Sequence, residues 1–211
     1  MDAWRQTVAT GDVIVVRYAD DLVVGFQHRA EAERFLGEFQ DRLAKFGLEL
    51  HAEKTRLIRF GRFAALNRRE RGQGKPETFT FLGFTHYCGT RLRDGSFVVW
   101  RKTAKKRMAA KLQALKAELR RRMHEPIPVV GEWVRKVVTG YYQYHAIPNN
   151  LDQVSLFRHR LRRLWGTVLR HRSQRGWSNW LRLSRKLDRW LPLPRVLHPY
   201  PEQRFAARHP R

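Results

Sequence analysis

Two hydrophobic periods run along this chain of 211 residues, and the change from one to the other falls near residue 100. Before it, short β-branched runs predict strands. Val13 to Tyr18 and Leu22 to Phe26, broken by Ala19-Asp20-Asp21, read as a β-hairpin with acid at its tip. Ala32, Phe35, Leu36, Phe39, Leu43 and Phe46 then recur at helical spacing, and Gly47 stands where a C′ glycine stops a helix. That stripe is expected to be core, packed on one face of the sheet that holds the hairpin. Leu48 to Leu50 restarts an extended chain, and His51 to Thr55 makes a turn. Gly61 to Glu77 is polar and long for a loop, which suggests an insertion or a binding loop whose Arg62, Arg68, Arg69, Arg71 and Lys75 contact phosphates; the equal alternative is a solvated flexible loop. Thr78 to Tyr87 returns to strand character, and Asp94-Gly95 between two strand runs predicts a type I′ hairpin.

From Lys102 the period is helical. Met108, Leu112, Leu115, Leu119 and Met123 form one stripe, ended by Pro126 and Pro128. Val130, Trp133, Val134, Val137, Tyr141 and Tyr144 form a second, and Val154, Phe157, Leu161, Leu164, Trp165 and Val168 a third. Trp177, Trp180, Leu181, Leu187, Trp190 and Leu191 form a fourth. Amphipathic stripes with short links predict a small helical bundle with most aromatics inside. Residues 192–211 are rich in proline and are expected to lie extended over the bundle or to be mobile. The fold class expected is α+β: an antiparallel sheet with a packed helix and hairpins over 1–100, an α-helical bundle over 101–191, and a Pro/Arg-rich tail.

Charge changes the picture. The chain carries 43 Lys and Arg against 19 Asp and Glu. The imbalance is one-sided, since residues 1–100 hold 16 basic and 13 acidic residues and residues 101–211 hold 27 and six. A solvated surface normally interleaves both signs, so this half has the footprint of a polyanion partner. Nucleic acid is the leading candidate and an anionic membrane the competing one. No apolar run approaches a membrane span and no signal peptide opens the chain, so a cytoplasmic protein is expected. Cys88 is the only cysteine, which excludes an internal disulfide and a Cys-based zinc cluster.

Candidate chemistry centres on Asp20 and Asp21. Two adjacent carboxylates against apolar walls repel each other and lose hydration, so at least one pKa should rise unless a cation is recruited. Mg²⁺ suits the task, because one or two carboxylates hold it while substrate phosphates and waters complete its octahedron. The alternative reading is a solvated turn.

Tyr18-Ala19-Asp20-Asp21, with valines on both sides, resembles the YxDD hairpin of reverse transcriptases, in the Ala form usual for group II intron reverse transcriptases, or maturases. The succession of segments downstream is also similar: a helix, then Leu48 to Thr55, then Phe81-Leu82-Gly83-Phe84, then a basic helical region. These correspond to successive palm motifs followed by the thumb, and Gly131-Glu132-Trp133 through Gly140-Tyr141-Tyr142 is similar to the signature of the maturase X domain. The resemblance implies a palm portion over 1–100 and a thumb over 101–191. It implies nucleotidyl transfer with two Mg²⁺ ions, Asp20 as metal ligand and Asp21 as its weaker partner.

On the same resemblance, Lys54 approaches the incoming triphosphate, where it stabilises charge or donates a proton; the bland alternative is a surface lysine. Leu82 and Gly83 correspond to a primer-grip turn, where glycine lets backbone come close to the primer end; the alternative is an ordinary strand glycine. Tyr18 and the helical bases Lys105, Lys106, Arg107 and Lys111 contact nucleic acid. Partners implied are an intron RNA template, a DNA primer and deoxynucleoside triphosphates. A palm of this family carries a further metal-binding Asp on an upstream strand, beside the fingers. Residues 1–12 cannot supply it, so the chain resembles the C-terminal half of a longer enzyme, inactive alone. No endonuclease domain is expected. The rival from another class is a non-catalytic, basic RNA-binding protein, and a more distant one is a basic protein whose Asp-Asp turn is accidental.

Overall fold

A computed structural model describes residues 2–172 and 179–200. It opens with a helix α1, Asp2–Thr7, then β1, Val13–Tyr18, and β2, Asp21–Phe26. The two strands pair antiparallel from Val13 opposite Phe26 to Tyr18 opposite Asp21. Directly opposed residues share a face. Val13, Val15, Val24 and Phe26 therefore line one side, and Ile14, Val16, Tyr18, Asp21 and Val23 line the other. The helix α2, Arg29–Ala44, comes next. Its buried Phe35 lies 5.3 Å from Phe26, and Trp4 of α1 meets both rings edge-on, so the opening residues complete this small core rather than forming a mere polar lead. Arg34 and the Trp4 Nε1–H both donate to Glu38 and hold its carboxyl below its ordinary range.

Gly47 ends α2 as expected. Its N–H bonds Ala44 O, the Leu48 N–H bonds Leu43 O, both at 3.0 Å, and its φ of +67° is the left-handed value of a Schellman stop. That stop turns Phe46 away from the stripe: the ring is 68% exposed rather than core.

Leu48 to Leu50 forms no strand, and the polar stretch after Gly61 contains a short helix α3, Ala64–Glu70. A second sheet is built from β3, Phe79–Phe81, β4, Phe84–Thr90, and β5, Phe97–Thr103, in that order. The turn types are the reverse of the expectation. Phe81 pairs with Phe84 across Leu82 and Gly83, both at positive φ (48° and 77°), which is the two-residue I′ pattern. Asp94-Gly95 instead sits in a longer loop, because the ladder ends at Thr90 opposite Phe97 and the Asp94 carboxylate captures the Ser96 N–H and hydroxyl.

The helices α4, Lys105–Arg121, α5, Ile127–His145, α6, Leu151–His171, and α7, Trp180–Asp188, share one core. Met108, Leu112, Leu115 and Leu119 are buried as the first stripe predicts, and Phe157, Leu161 and Trp165 as the third. Tyr141 stacks on Phe157 at 3.7 Å between ring centroids. Trp177 and residues 201–211 lie outside the described residues.

α7 is docked by two tryptophans. A Cβ on Gly131 would overlap the Trp190 ring, and one on Gly166 would overlap Trp180, so each glycine leaves a notch that an indole fills. Four residues on from each glycine an arginine covers the ring: Arg135 lies over Trp190 at 5.1 Å and Arg170 over Trp180 at 5.9 Å. Asp188 adds an ion pair to Arg158 at 2.7 Å and to Arg162 at 3.0 Å. Beyond α7, residues 192–198 run over the bundle: Pro192 O accepts from the Tyr142 hydroxyl, the Leu197 N–H reaches Ala146 O, and a His198 ring nitrogen lies 2.6 Å from Gln143 O.

The second sheet and the bundle join through a buried polar knot. Asn150, 0% exposed, accepts from Thr103 N at 2.8 Å and donates to the Thr103 hydroxyl at 2.8 Å and to His145 O at 2.7 Å.

Candidate active site and nucleic-acid interface

The carboxylates stand at the tip of a tight hairpin. Tyr18 pairs with Asp21, leaving Ala19 and Asp20 as the loop, and Ala19 takes φ of +51°. A residue with a Cβ in that region costs on the order of 1–2 kcal/mol. Arg17 offsets part of this by donating through Nε to Ala19 O at 3.0 Å. Strand alternation places Asp21 on the side of Tyr18 and Val16, while Asp20 belongs to the loop itself.

Both carboxylates are exposed, so the apolar walls expected to desolvate them are absent at the tip. Neither makes a hydrogen bond or ion pair with another described residue. Their coordination capacity is therefore free for an outside partner. Two adjacent, unengaged carboxylates fit one hard divalent cation that takes its remaining ligands from substrate and water. Among the described residues no group of three or more His, Cys, Asp or Glu gathers there or elsewhere, so a third carboxylate for a second ion is not placed beside them.

Lys54 lies in the turn closed by its own N–H and that of Thr55 on His51 O, with its side chain exposed. Among the described residues no hydrogen bond or ion pair joins Asp20 or Asp21 to Lys54 or to the Leu82-Gly83 turn. That turn is tied elsewhere. Leu82 O accepts from the Tyr144 hydroxyl at 2.7 Å and Gly83 O from Ala104 N at 2.9 Å, while Phe84 stacks on Tyr144 at 5.6 Å. The left-handed φ rather than crowding requires the glycine, since a Cβ there would only touch the Tyr144 ring at 3.9 Å. Sequence periodicity groups Tyr144 with core residues, yet it is 52% exposed and serves as the anchor of this turn. Its position beside the end of α5 is the signal that sets it apart from the stripe.

The basic face begins at once. Lys105, Lys106, Arg107 and Lys111 on α4 are all exposed, and the first turn of that helix holds no acid. Cations at a helix N-terminus oppose the macrodipole, so the arrangement carries a local cost that a bound anion would relieve. Several acids of the helical half are engaged elsewhere. Glu118 binds Arg121 and Arg122, which pull its carboxyl down to about 2. Glu125 pairs with Arg122, Glu132 with Arg135, and Asp188 with Arg158 and Arg162. Lys105, Lys106, Arg107 and Lys111 are left uncompensated among the described residues, whereas Arg121 at the other end of α4 is paired with Glu118.

Residues 1–86 match the family described as reverse transcriptase (RNA-dependent DNA polymerase). The match takes in the hairpin, α2, Lys54 and the Leu82-Gly83 turn and stops inside β4; α4 to α7 lie beyond it. No curated protein and no solved structure matches the chain. Among the described residues no helix is long and apolar enough to cross a membrane.

Proposed function

We propose that this chain is the palm hairpin and thumb of an RNA-directed DNA polymerase of the group II intron type, with residues 1–100 as the C-terminal part of the palm and 101–191 as the thumb. One observation carries the reading: two unengaged carboxylates at the tip of a two-residue hairpin, inside the stretch that matches reverse transcriptases. The reaction is attack of a primer 3′-hydroxyl on the α-phosphate of a deoxynucleoside triphosphate, with release of pyrophosphate.

When bound, Mg²⁺ supplies charge neutralisation for the attacking and leaving oxygens. Asp20 would hold the ion and Asp21 would assist from the strand. Lys54 offers an ammonium to the triphosphate, where it stabilises negative charge or delivers a proton to the leaving pyrophosphate. Tyr18 and the Leu82-Gly83 turn bear on the primer end, and the turn's anchorage to α5 fixes where that end sits relative to the thumb. Lys105, Lys106, Arg107 and Lys111 take phosphates of the intron RNA, which the protein also helps to fold for splicing. Such a protein works inside the cell.

A second reading, a non-catalytic RNA-binding protein, is favoured by the uncompensated Lys105, Lys106, Arg107 and Lys111 at the start of α4, which hold a polyanion without any chemistry at the hairpin. Primer extension on an RNA template with Mg²⁺ separates the two, run with the chain alone and with a fingers-bearing polypeptide that supplies a further Asp. Extension that needs the second polypeptide and is abolished by Asp20→Asn supports the polymerase. RNA binding with no extension in either mixture supports the rival.

A further inference from the structure

The outer side of α6 carries a feature that neither the hairpin nor α4 uses. Arg163, Thr167 and Arg170 succeed one another at helical spacing and, with Trp180 of α7, line an open notch of about 190 Å³. The arginines of this helix divide by face. Arg158 and Arg162 turn inward and share the Asp188 carboxylate, whereas Arg163 and Arg170 are exposed and pair with no acid among the described residues.

The notch is held in place from beneath. Trp180 fills the space left by Gly166, and Arg170 lies over its ring, so a guanidinium is positioned against a half-buried indole. Thr167 donates its hydroxyl to Arg163 O at 2.9 Å, which leaves its oxygen to face Arg170 Nη2 as an acceptor at 3.5 Å.

We infer that this notch seats a backbone phosphate of bound RNA, with Arg163 and Arg170 as the cationic pair and Trp180 as the wall for the adjoining sugar. The volume argues for part of a polymer. Cavities that enclose a free small ligand run to about 300–1,000 Å³, and this one is smaller and open to solvent. Two guanidiniums without an acid partner suit phosphate oxygens, to which they bring both positive charge and N–H donors. The site rests on the proposed RNA-binding role and adds a second point of contact, on α6 rather than α4.

The test is the salt dependence of affinity for a structured RNA hairpin, measured on the whole chain. Each phosphate contact contributes roughly 0.7–0.9 to the slope of log K against log salt, so R163Q with R170Q, which removes the one contact, should lower the slope by roughly 0.7–0.9. R163K with R170K keeps the charge and should restore most of the slope, which separates a lost contact from a damaged fold. Wild-type slope in the Gln pair overturns the inference while leaving RNA binding through α4 intact. Failure of the Lys pair to restore the slope also overturns it. No salt-dependent binding by the unaltered chain overturns both this site and the reading beneath it. A larger effect of the Gln pair on anionic phospholipid vesicles than on RNA transfers the notch to a membrane surface and overturns it too.

Discussion

The Tyr144 hydroxyl donates to the carbonyl of Leu82 at 2.7 Å, so a residue near the end of α5 holds the turn between β3 and β4. The same ring stacks on Phe84, and Ala104 N takes the neighbouring Gly83 carbonyl. Tyr144→Phe keeps the stack and removes only the bond. Water reaches this half-exposed site, so the loss should sit near the lower end of a hydrogen bond's net worth, about 0.5–1 kcal/mol. Urea unfolding at unchanged m-value checks it, and a loss several times larger would show that the hydroxyl also positions the strand.

Asn150 is the more sensitive joint. Asn150→Ala removes three hydrogen bonds at a fully buried side chain and strands the Thr103 N–H. Leaving a buried donor unpaired costs about 1–3 kcal/mol beyond the bonds themselves, so a total near 3–4 kcal/mol is expected. Faster amide exchange at Thr103 should accompany it.

Gly131→Ala and Gly166→Ala set two effects against each other. Alanine favours a helix over glycine by about 1 kcal/mol, but the new Cβ overlaps a seated indole, an overpacking worth about 1–3 kcal/mol. The clash should win at both positions. Replacing the facing tryptophan with leucine in the same chain should then recover part of the loss, measured as a double-mutant cycle.

At the hairpin, Asp20→Asn in a complete polymerase should remove most nucleotidyl transfer and leave RNA affinity nearly unchanged. Asp21→Asn should do less. Equal loss of activity and affinity in the first variant would assign the carboxylate to structure.

Acid should weaken the joint between sheet and bundle. Burial among Tyr141, Tyr144 and Phe84 holds the His145 imidazole down to about 4, against 6.5 for a free side chain, and burial lowers His86 as well. The unfolded chain thus binds a proton more readily than the folded one. The contribution of His145 is fully present above 6.5 and is lost as pH falls from there toward 4. His145→Phe should flatten that part of a stability profile measured by urea unfolding; an unchanged slope would move the effect to His86.

Local signals are the legible ones. Gly47 and its neighbours carry a helix stop within a few residues of chain, and the stripes of α4 and α6 repeat often enough to fix their buried faces. Leu82-Gly83 is hidden because leucine seldom takes positive φ; contacts from Tyr144 and Ala104, distant in sequence, hold it there. Asp94-Gly95 gives the stronger turn signal, but Asp94 commits its carboxylate to Ser96. α3 escapes because it is short and one-sided periodicity never develops in it. The Asp20-Asp21 pair is readable from adjacency alone. The glycines at 131 and 166 are visible too, though nothing in the order of residues says which tryptophan fills which notch.

That pairing makes α7 a spacer of fixed length. Trp180 plugs into α6 and Trp190 into α5, so the distance between the two sockets is set by the chain that joins the plugs. Twisting α5 against α6 strains the seat of both rings. A load applied to the exposed side of either helix is therefore shared with the other through the two seated rings.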